Sequence, residues 1–231
     1  CRGGRRGGLA LAGLLPGPAR LVARPVEDGW VLDGSSPWVT GWGRIDVVYV
    51  AATRPDGTVV WVLLDAVDRP GLSVERLRLV AVDASATVRL DVAGLEVPAG
   101  RVVAVDEHPA TTATEGVPLR VNGSLALGVA RRCCRLMGPS PLDQLLDTSR
   151  RRLDEAALKG VDGIAEARAA ASELALRAAA ALMVHRGSSS ALAGDHAARL
   201  AREALFLLVF GTRPPIRAAL LRRLQEPGHG L

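Results

Sequence analysis

The chain has 231 residues, of which 48% are hydrophobic and 23% are charged, and this is enough for one or two domains with real cores. The formal net charge is +5, but the arginines alternate with acids on predicted helix faces, which favours a solvated surface over nucleic-acid binding. No apolar run reaches the roughly 18 residues of a membrane helix, and three cysteines without metal spacing or even pairing indicate a cytoplasmic protein.

The first segment, residues 1–19, is rich in Gly and Arg, then apolar, and ends at Pro16-Gly17-Pro18. It contains no Gly-x-Gly-x-x-Gly before a helix, so a phosphate-binding loop is disfavoured. We expect this segment to form a flexible edge.

Residues 20–105 form a predicted β-domain. Short runs rich in β-branched and aromatic residues alternate with Gly and Pro turns, which is typical of an antiparallel sandwich or barrel. The predicted strands cover residues 21–23, 30–32, 37–40, 47–51, 59–64, 74–79, 87–92 and 101–105.

One predicted strand of this domain places Trp38 and Thr40 two residues apart. In an extended strand this spacing puts both side chains on the same face. A flat aromatic beside a hydroxyl can fill a core, or it can hold a planar ring, with Trp as a wall and Thr as a hydrogen-bonding group. The residues alone favour the core.

After a polar linker at residues 106–117, the pattern becomes helical over residues 118–231. Five helices are predicted, with stops at Gly138–Pro141, Gly160, Gly187–Ser190 and Gly211–Pro215. The four long ones are joined by short loops, which predicts an antiparallel four-helix bundle. The fold class is therefore α+β, with a β-domain before a helical domain.

Two stretches of the β-domain resemble a known family. The sequence Trp38-Val39-Thr40-Gly41, preceded by Trp30–Gly34 and followed by Ile45–Val48, is similar to the middle β-domain of acyl-CoA dehydrogenases. Gly94–Val102 is similar to the end of that domain. The order of domains also agrees, and the resemblance covers nearly the whole chain except that the family's N-terminal helical domain has no counterpart.

The resemblance implies a flavoprotein that binds FAD. It implies that Trp38 packs beside the flavin and that Thr40 hydrogen-bonds near its reactive nitrogen. It further implies that Gly187 and Ser188, after the third bundle helix, reach the nucleotide half of the flavin, together with Gly211 and Thr212.

The sequence departs from the family around these motifs. Ser36 and Pro37 stand where the family has a Lys before the Trp, and Gly41 replaces an Asn. In the loop at residues 14–18, which in the family touches flavin and acyl-CoA, only Pro16-Gly17 is kept.

The catalytic carboxylate of the family is not found. One group of acyl-CoA dehydrogenases has a Glu just before Gly-Thr, and Phe210 stands at that position here. A second group has its base near the start of the first bundle helix, where this chain has Val121 and Asn122. Glu115 is the nearest acid upstream and a candidate substitute.

The expected function is therefore the FAD-dependent α,β-oxidation of an acyl-CoA or related thioester. The alternative is a non-catalytic relative that binds flavin or acyl-CoA, or that serves as a partner subunit. The resemblance also implies a possible electron-transfer flavoprotein as partner and a homo- or hetero-oligomer that shares flavin across its interface. Neither a metal site nor a nucleic-acid partner is expected.

Overall fold

The computed structural model describes residues 3–14, 18–106 and 116–226, apart from the side chains at 116, 117 and 160–162. The chain divides into two compact units, Cys1–Pro109 and Ala110–Leu231. The first unit holds the strands and the second the long helices. The predicted α+β fold class is confirmed.

The first unit contains one sheet of eight strands, mostly antiparallel. Its strands follow the order β6-β7-β3-β2-β4-β5-β8, and β1 pairs with β4 outside this path. The strands are β1 Gly7–Ala10, β2 Leu21–Val26, β3 Gly29–Val39, β4 Val47–Thr53, β5 Val59–Asp65, β6 Leu72–Arg76, β7 Val88–Pro98 and β8 Val102–Asp106.

Strand β3 is one strand of 11 residues, where the sequence predicted two shorter ones. Gly34 lies at the break between them, with φ +122°. The register to β7 shifts here, from Leu32 opposite Leu95 to Gly34 opposite Val92, because β7 contains one extra residue. A β-bulge bends the pair without ending it, so the glycine marks a bend and not a turn.

Strand β1 lies in the segment that the sequence predicted to be a flexible edge, and that prediction is wrong for Gly7–Ala10. β1 runs parallel to β4, with Gly7 opposite Val47. Just before it, the Arg6 N–H donates to Asp46 Oδ2 over 2.7 Å, and the Asp46 N–H donates to the Arg6 carbonyl over 2.8 Å. A parallel partner 40 residues away leaves no local sequence signal. Pro16-Gly17 lies outside the described residues.

The second unit contains five helices, as predicted, and they begin or end near the predicted Gly and Pro stops. They are α1 Gly116–Met137, α2 Leu142–Ala157, α3 Gly160–Arg186, α4 His196–Val209 and α5 Pro214–Gln225. Asp195 caps α4 by accepting from the Ala197 N–H over 2.7 Å. Among the described helices, none is long and apolar enough to cross a membrane.

Helix α3 is the centre of this bundle, because it packs against each of the other four helices. Its inward positions carry alanines, and Ala171, Ala175 and Ala178 are fully buried. Small side chains let neighbouring helices approach closely. Glu173 on α3 also accepts from Arg223 Nε of α5 over 2.5 Å, so an ion pair joins these two helices.

We predict that Gly34→Ala destabilises the first unit by about 2 kcal/mol or more, because φ +122° is strained for any side chain. A Cβ at this position would also overlap the Arg20 carbonyl. The measurement is urea unfolding followed by circular dichroism. Gly100→Ala is the matched control, since its Cβ would meet nothing within 4 Å. Equal midpoints for the two variants would contradict the assigned role of Gly34.

Candidate functional site

Trp38 is on the surface of the first unit and not in its core. Trp38 is 60% exposed to solvent, whereas the next residue, Val39, is fully buried. Thr40 follows as an exposed residue. The core interpretation of Trp38 and Thr40 is therefore wrong, and the arrangement offers an aromatic surface with a hydroxyl nearby.

A strained backbone produces this exposure. Trp38 has φ +66°, an unusual value for a bulky residue. The register to β7 shifts again here: Ser36 pairs with Leu90, but Val39 pairs with Val88. The strand β3 thus has one residue more than β7 between these two pairs. The extra residue makes a β-bulge, a feature that re-aims side chains and is common beside functional sites.

The other positive-φ residues of the described chain, glycines excepted, belong to the neighbouring loop. They are Val82, with φ 54°, and Ala86, with φ 51°. This loop is hydrogen-bonded to the segment after Thr40, since the Gly41 N–H donates to the Ser85 carbonyl over 2.9 Å. The strained positions of the described chain thus gather in one region, and the fold must compensate for their cost of about 1–3 kcal/mol each.

A chain of hydroxyl groups supports Thr40. Its Oγ1 lies 3.2 Å from Thr87 Oγ1, and Thr87 Oγ1 lies 2.8 Å from Ser85 Oγ. Thr87 is buried, so the exposed Thr40 hydroxyl is held by a fixed partner. Because each hydroxyl both donates and accepts, Thr87 can leave the Thr40 proton free for a ligand. Sequence reasoning missed Thr87 and Ser85, because Thr87 contacts Thr40 from 47 residues away in the chain and such a contact leaves no local sequence signal.

Ser36, which replaces the family's Lys, is fully buried. Its Oγ has no hydrogen-bond partner among the described residues. It therefore cannot replace a long surface cation at this edge.

In the second unit, the two positions predicted for the catalytic base converge. Gly211 has φ +60°, and a Cβ added there would overlap Asn122 Nδ2. The start of α1, with Val121 and Asn122, therefore lies against the turn after α4 that contains Phe210. The two positions are thus neighbours in this unit, and the side chains present are an amide and two apolar groups.

Hydrogen bonds from Arg168 hold the turn after α4. This residue is fully buried and donates from Nη2 to the carbonyls of Leu207 and Phe210, each over 3.2 Å. It also bonds Ser172, whose hydroxyl donates to the Leu207 carbonyl over 2.9 Å. The partners are carbonyls at the negative end of the α4 dipole.

Burial lowers the pKa of Arg168 to about 10. The guanidinium still stays charged at neutral pH, since that value is about three units above pH 7. The Arg168 charge is thus held by helix carbonyls in a dry environment. We expect Arg168 to act as a positioning residue for the Gly211-Thr212 turn.

The predicted residues Gly187 and Ser188 lie at the other end of α4 from Gly211 and Thr212. Gly187 ends α3 with φ +71°, and α4 has 14 residues, which span about 21 Å in a helix. Within one chain the two predicted pairs are therefore not brought together. Ser189 and Ser190 donate to backbone carbonyls at the end of α3, whereas Ser188 is exposed.

The buried cysteines do not offer a nucleophile. Burial is the main cause that raises the pKa of the Cys133 thiol to about 12, so the reactive thiolate is scarce at neutral pH. Glu115, the candidate substitute base, lies outside the described residues.

Comparison with known proteins finds no matching protein-family model and no matching curated protein. Solved structures do match. A putative acyl-CoA dehydrogenase from Mycobacterium smegmatis superposes with a TM-score of 0.76 at 19% identity, covering 96% of this chain and 69% of that one. The chain has the fold of acyl-CoA dehydrogenases. The sequence resemblance is confirmed at the level of the fold.

Two further structures give the same result. Butyryl-CoA dehydrogenase from Megasphaera elsdenii matches with a TM-score of 0.75 at 18% identity, over 96% of this chain and 68% of that one. An electron transferring flavoprotein of Acidaminococcus fermentans matches with a TM-score of 0.75 at 18% identity, over 97% and 69%. The chain thus spans about two thirds of these proteins and matches the acyl-CoA dehydrogenase fold over almost its own full length.

We predict that Arg168→Ala destabilises the second unit by roughly 2–4 kcal/mol, because it leaves a cavity and removes donors from buried carbonyls. Arg217→Ala, at an exposed position of α5, is the control and should change stability by less than about 0.5 kcal/mol. Thermal unfolding and hydrogen exchange of the residue 207–212 amides measure the effect. Unchanged exchange in Arg168→Ala would show that the turn is held by other contacts.

Proposed function

We propose that this chain is a flavoprotein of the acyl-CoA dehydrogenase type that binds FAD and carries out the α,β-oxidation of an acyl thioester. The observation that carries the proposal is the exposed Trp38 at a strained bulge, beside a Thr40 hydroxyl held by Thr87. A flat aromatic surface with one fixed hydroxyl suits a planar, heteroatom-rich ring such as the flavin. The bound flavin would accept a hydride from the acyl chain.

The residues of this chain would then have separate roles. The Trp38 indole would cover one side of the ring, and the Thr40 hydroxyl would donate a hydrogen bond to a ring nitrogen. The Gly211-Thr212 turn, held by Arg168, would approach the flavin through its backbone. Because Gly187 and Ser188 precede α4 and this turn follows it, a helix of 14 residues separates them, and they would serve the flavin of a second subunit in an oligomer.

The α-proton of the thioester requires a base within hydrogen-bond reach. Neither converging position provides a carboxylate, since they carry Phe210, Val121 and Asn122. We propose Glu115 for this role, because it stands one residue before the start of α1, the helix that carries Asn122 to Gly211.

A second candidate function is a non-catalytic relative that binds flavin or acyl-CoA, or that serves as a partner subunit. It is favoured by the same convergence of two base positions that both lack a carboxylate. The two candidates agree on flavin binding and differ in turnover, so flavin loading and flavin reduction must be measured separately.

The first test is the visible absorption spectrum of the purified chain, before and after incubation with FAD. We expect bound, oxidised flavin. Thr40→Val should weaken FAD binding roughly tenfold, since one hydrogen bond is lost, and Thr148→Val on α2 should not. A chain that stays colourless in excess FAD would refute the flavin assignment, and an unchanged affinity of Thr40→Val would refute the role of Thr40.

The second test is anaerobic mixing of the flavin-loaded chain with a series of straight and branched acyl-CoA thioesters. We expect loss of the flavin colour with at least one of them. Glu115→Gln should slow this step by about 10²–10⁴, the usual contribution of a positioned base, without changing FAD affinity. If no thioester reduces the wild-type flavin but Phe210→Glu gains the reaction, the chain is the non-catalytic relative.

A further inference from the structure

Arg69 differs from the other arginines of the first unit. Its Nε is buried and has no hydrogen-bond partner among the described residues. Among the described arginines of this unit that form no ion pair, Arg20, Arg44 and Arg78 are exposed to solvent, whereas Arg69 is half-buried. Those that form ion pairs with acids are Arg5, Arg6, Arg24, Arg54, Arg76, Arg89 and Arg101. A buried donor without a partner costs free energy, so the fold holds this guanidinium at a cost. The Nε is itself shielded from solvent, so a ligand would meet Arg69 through its Nη groups.

The backbone holds Arg69 in place. The Leu72 N–H donates to the Arg69 carbonyl over 2.9 Å, which closes a tight turn through Pro70 and Gly71. Gly71 has φ +80°, and a Cβ there would lie 3.0 Å from the Ala93 carbonyl. The turn therefore packs directly on β7, and this contact fixes the backbone at Arg69.

Arg69 lines a pocket of about 200 Å³, which we call the Arg69 pocket. A second arginine, Arg101, lines the same space. The remaining walls are mainly apolar and are formed by Leu63, Leu64, Val97 and Pro98, with Asp65 as the one acid. The pocket thus combines two guanidinium groups with a hydrophobic surface.

Asp65 does not neutralise this pair of arginines. Its carboxylate accepts from Arg5 over 2.9 Å and from Arg101 over 2.6 Å. The hydrogen bond from Arg5 is the main cause that holds the pKa of Asp65 below its usual value, and Arg101 adds to it. The three guanidinium groups of Arg5, Arg69 and Arg101 therefore carry more positive charge than the Asp65 carboxylate can balance. Glu96, which lines an adjacent, more open depression with Arg69, is itself exposed to solvent.

We propose that the Arg69 pocket binds the oxyanion group of a small organic molecule, a carboxylate or a phosphate monoester. The guanidinium fork matches either group in a bidentate way. Its volume of about 200 Å³ and its mainly apolar walls suit an oxyanion joined to a short apolar group.

This site is separate from the Trp38 region. Thr87 directly precedes β7, at Val88, whereas Val97 of the pocket lies near the other end of that strand. Nine residues of extended strand correspond to about 30 Å along the chain. The inference therefore does not depend on the proposed flavin chemistry.

The test is calorimetric titration of the purified full chain with inorganic phosphate, ethyl phosphate and butyrate. We expect saturable binding of at least one of the two organic anions, tighter than that of inorganic phosphate because the apolar walls contribute. Arg69→Gln should weaken binding at least roughly tenfold through the loss of a charge-assisted pair of hydrogen bonds. Arg78→Gln, at an exposed arginine that does not line the pocket, should stay within about twofold of the wild type.

The absence of saturable binding to the wild-type chain would overturn the proposal, as would equal losses in Arg69→Gln and Arg78→Gln. Ethyl phosphate and butyrate distinguish the two oxyanion classes. If Arg69→Gln does not fold, Arg69→Lys keeps the charge without the fork and should still bind more weakly than wild type. FAD affinity is measured in parallel and should not change, so a failure here is distinct from a failure of the flavin assignment.

Discussion

The antiparallel pairing of β3 with β7 is the constraint on which the first unit depends. These are its two longest strands, and each contains 11 residues. Their ladder is interrupted twice, once by an extra residue on β7 near Gly34 and once by an extra residue on β3 at Trp38. The first bulge bends the sheet. The second turns a tryptophan out of the core, where a side chain of that size would otherwise give the largest gain from burial.

The exposure of Trp38 therefore has a cost in two respects. Its backbone is strained, and its indole is withdrawn from the apolar interior. Strain of this kind persists only where the surrounding contacts hold it in place. Here the loop with Val82 and Ala86 is hydrogen-bonded to the segment that follows Thr40. The buried Thr87 adds a fixed hydroxyl under Thr40. A ligand that covers the indole would recover part of the cost, which is why the bulge supports a binding role.

In the second unit, the buried Arg168 is the residue that holds the candidate site in place. A buried guanidinium without a carboxylate is expensive, and the bundle accepts it because the last carbonyls of α4 need donors. This arrangement fixes the turn at Gly211, against which Asn122 packs. The two base positions known from the resemblance are thus alternatives at one place in the bundle. Both positions lack a carboxylate. A shift in the alignment of one residue therefore does not explain the missing acid.

Much of the fold could be predicted from the sequence. The helices begin or end near the predicted Gly and Pro stops, since such stops act locally. In the β-domain the strands were found, but Gly34 was read as a break, because a glycine at φ +122° and a turn glycine give the same sequence signal. Of the site, the sequence predicted Trp38 and Thr40 as a pair; the residues alone favoured the core, whereas the resemblance implied contact with a flavin.

The sequence by itself determined the α+β class, the order of the two units and the absence of an acid at Phe210 and Val121, because these follow from residue identity and local pattern. Only the tertiary structure decided that β1 joins the sheet, that Trp38 is exposed, that Thr87 supports Thr40 and that Asn122 meets Gly211. It alone placed Arg69 and Arg101 on one pocket. Each of these results depends on pairing between residues far apart in the chain, and local preferences do not encode which distant partners meet.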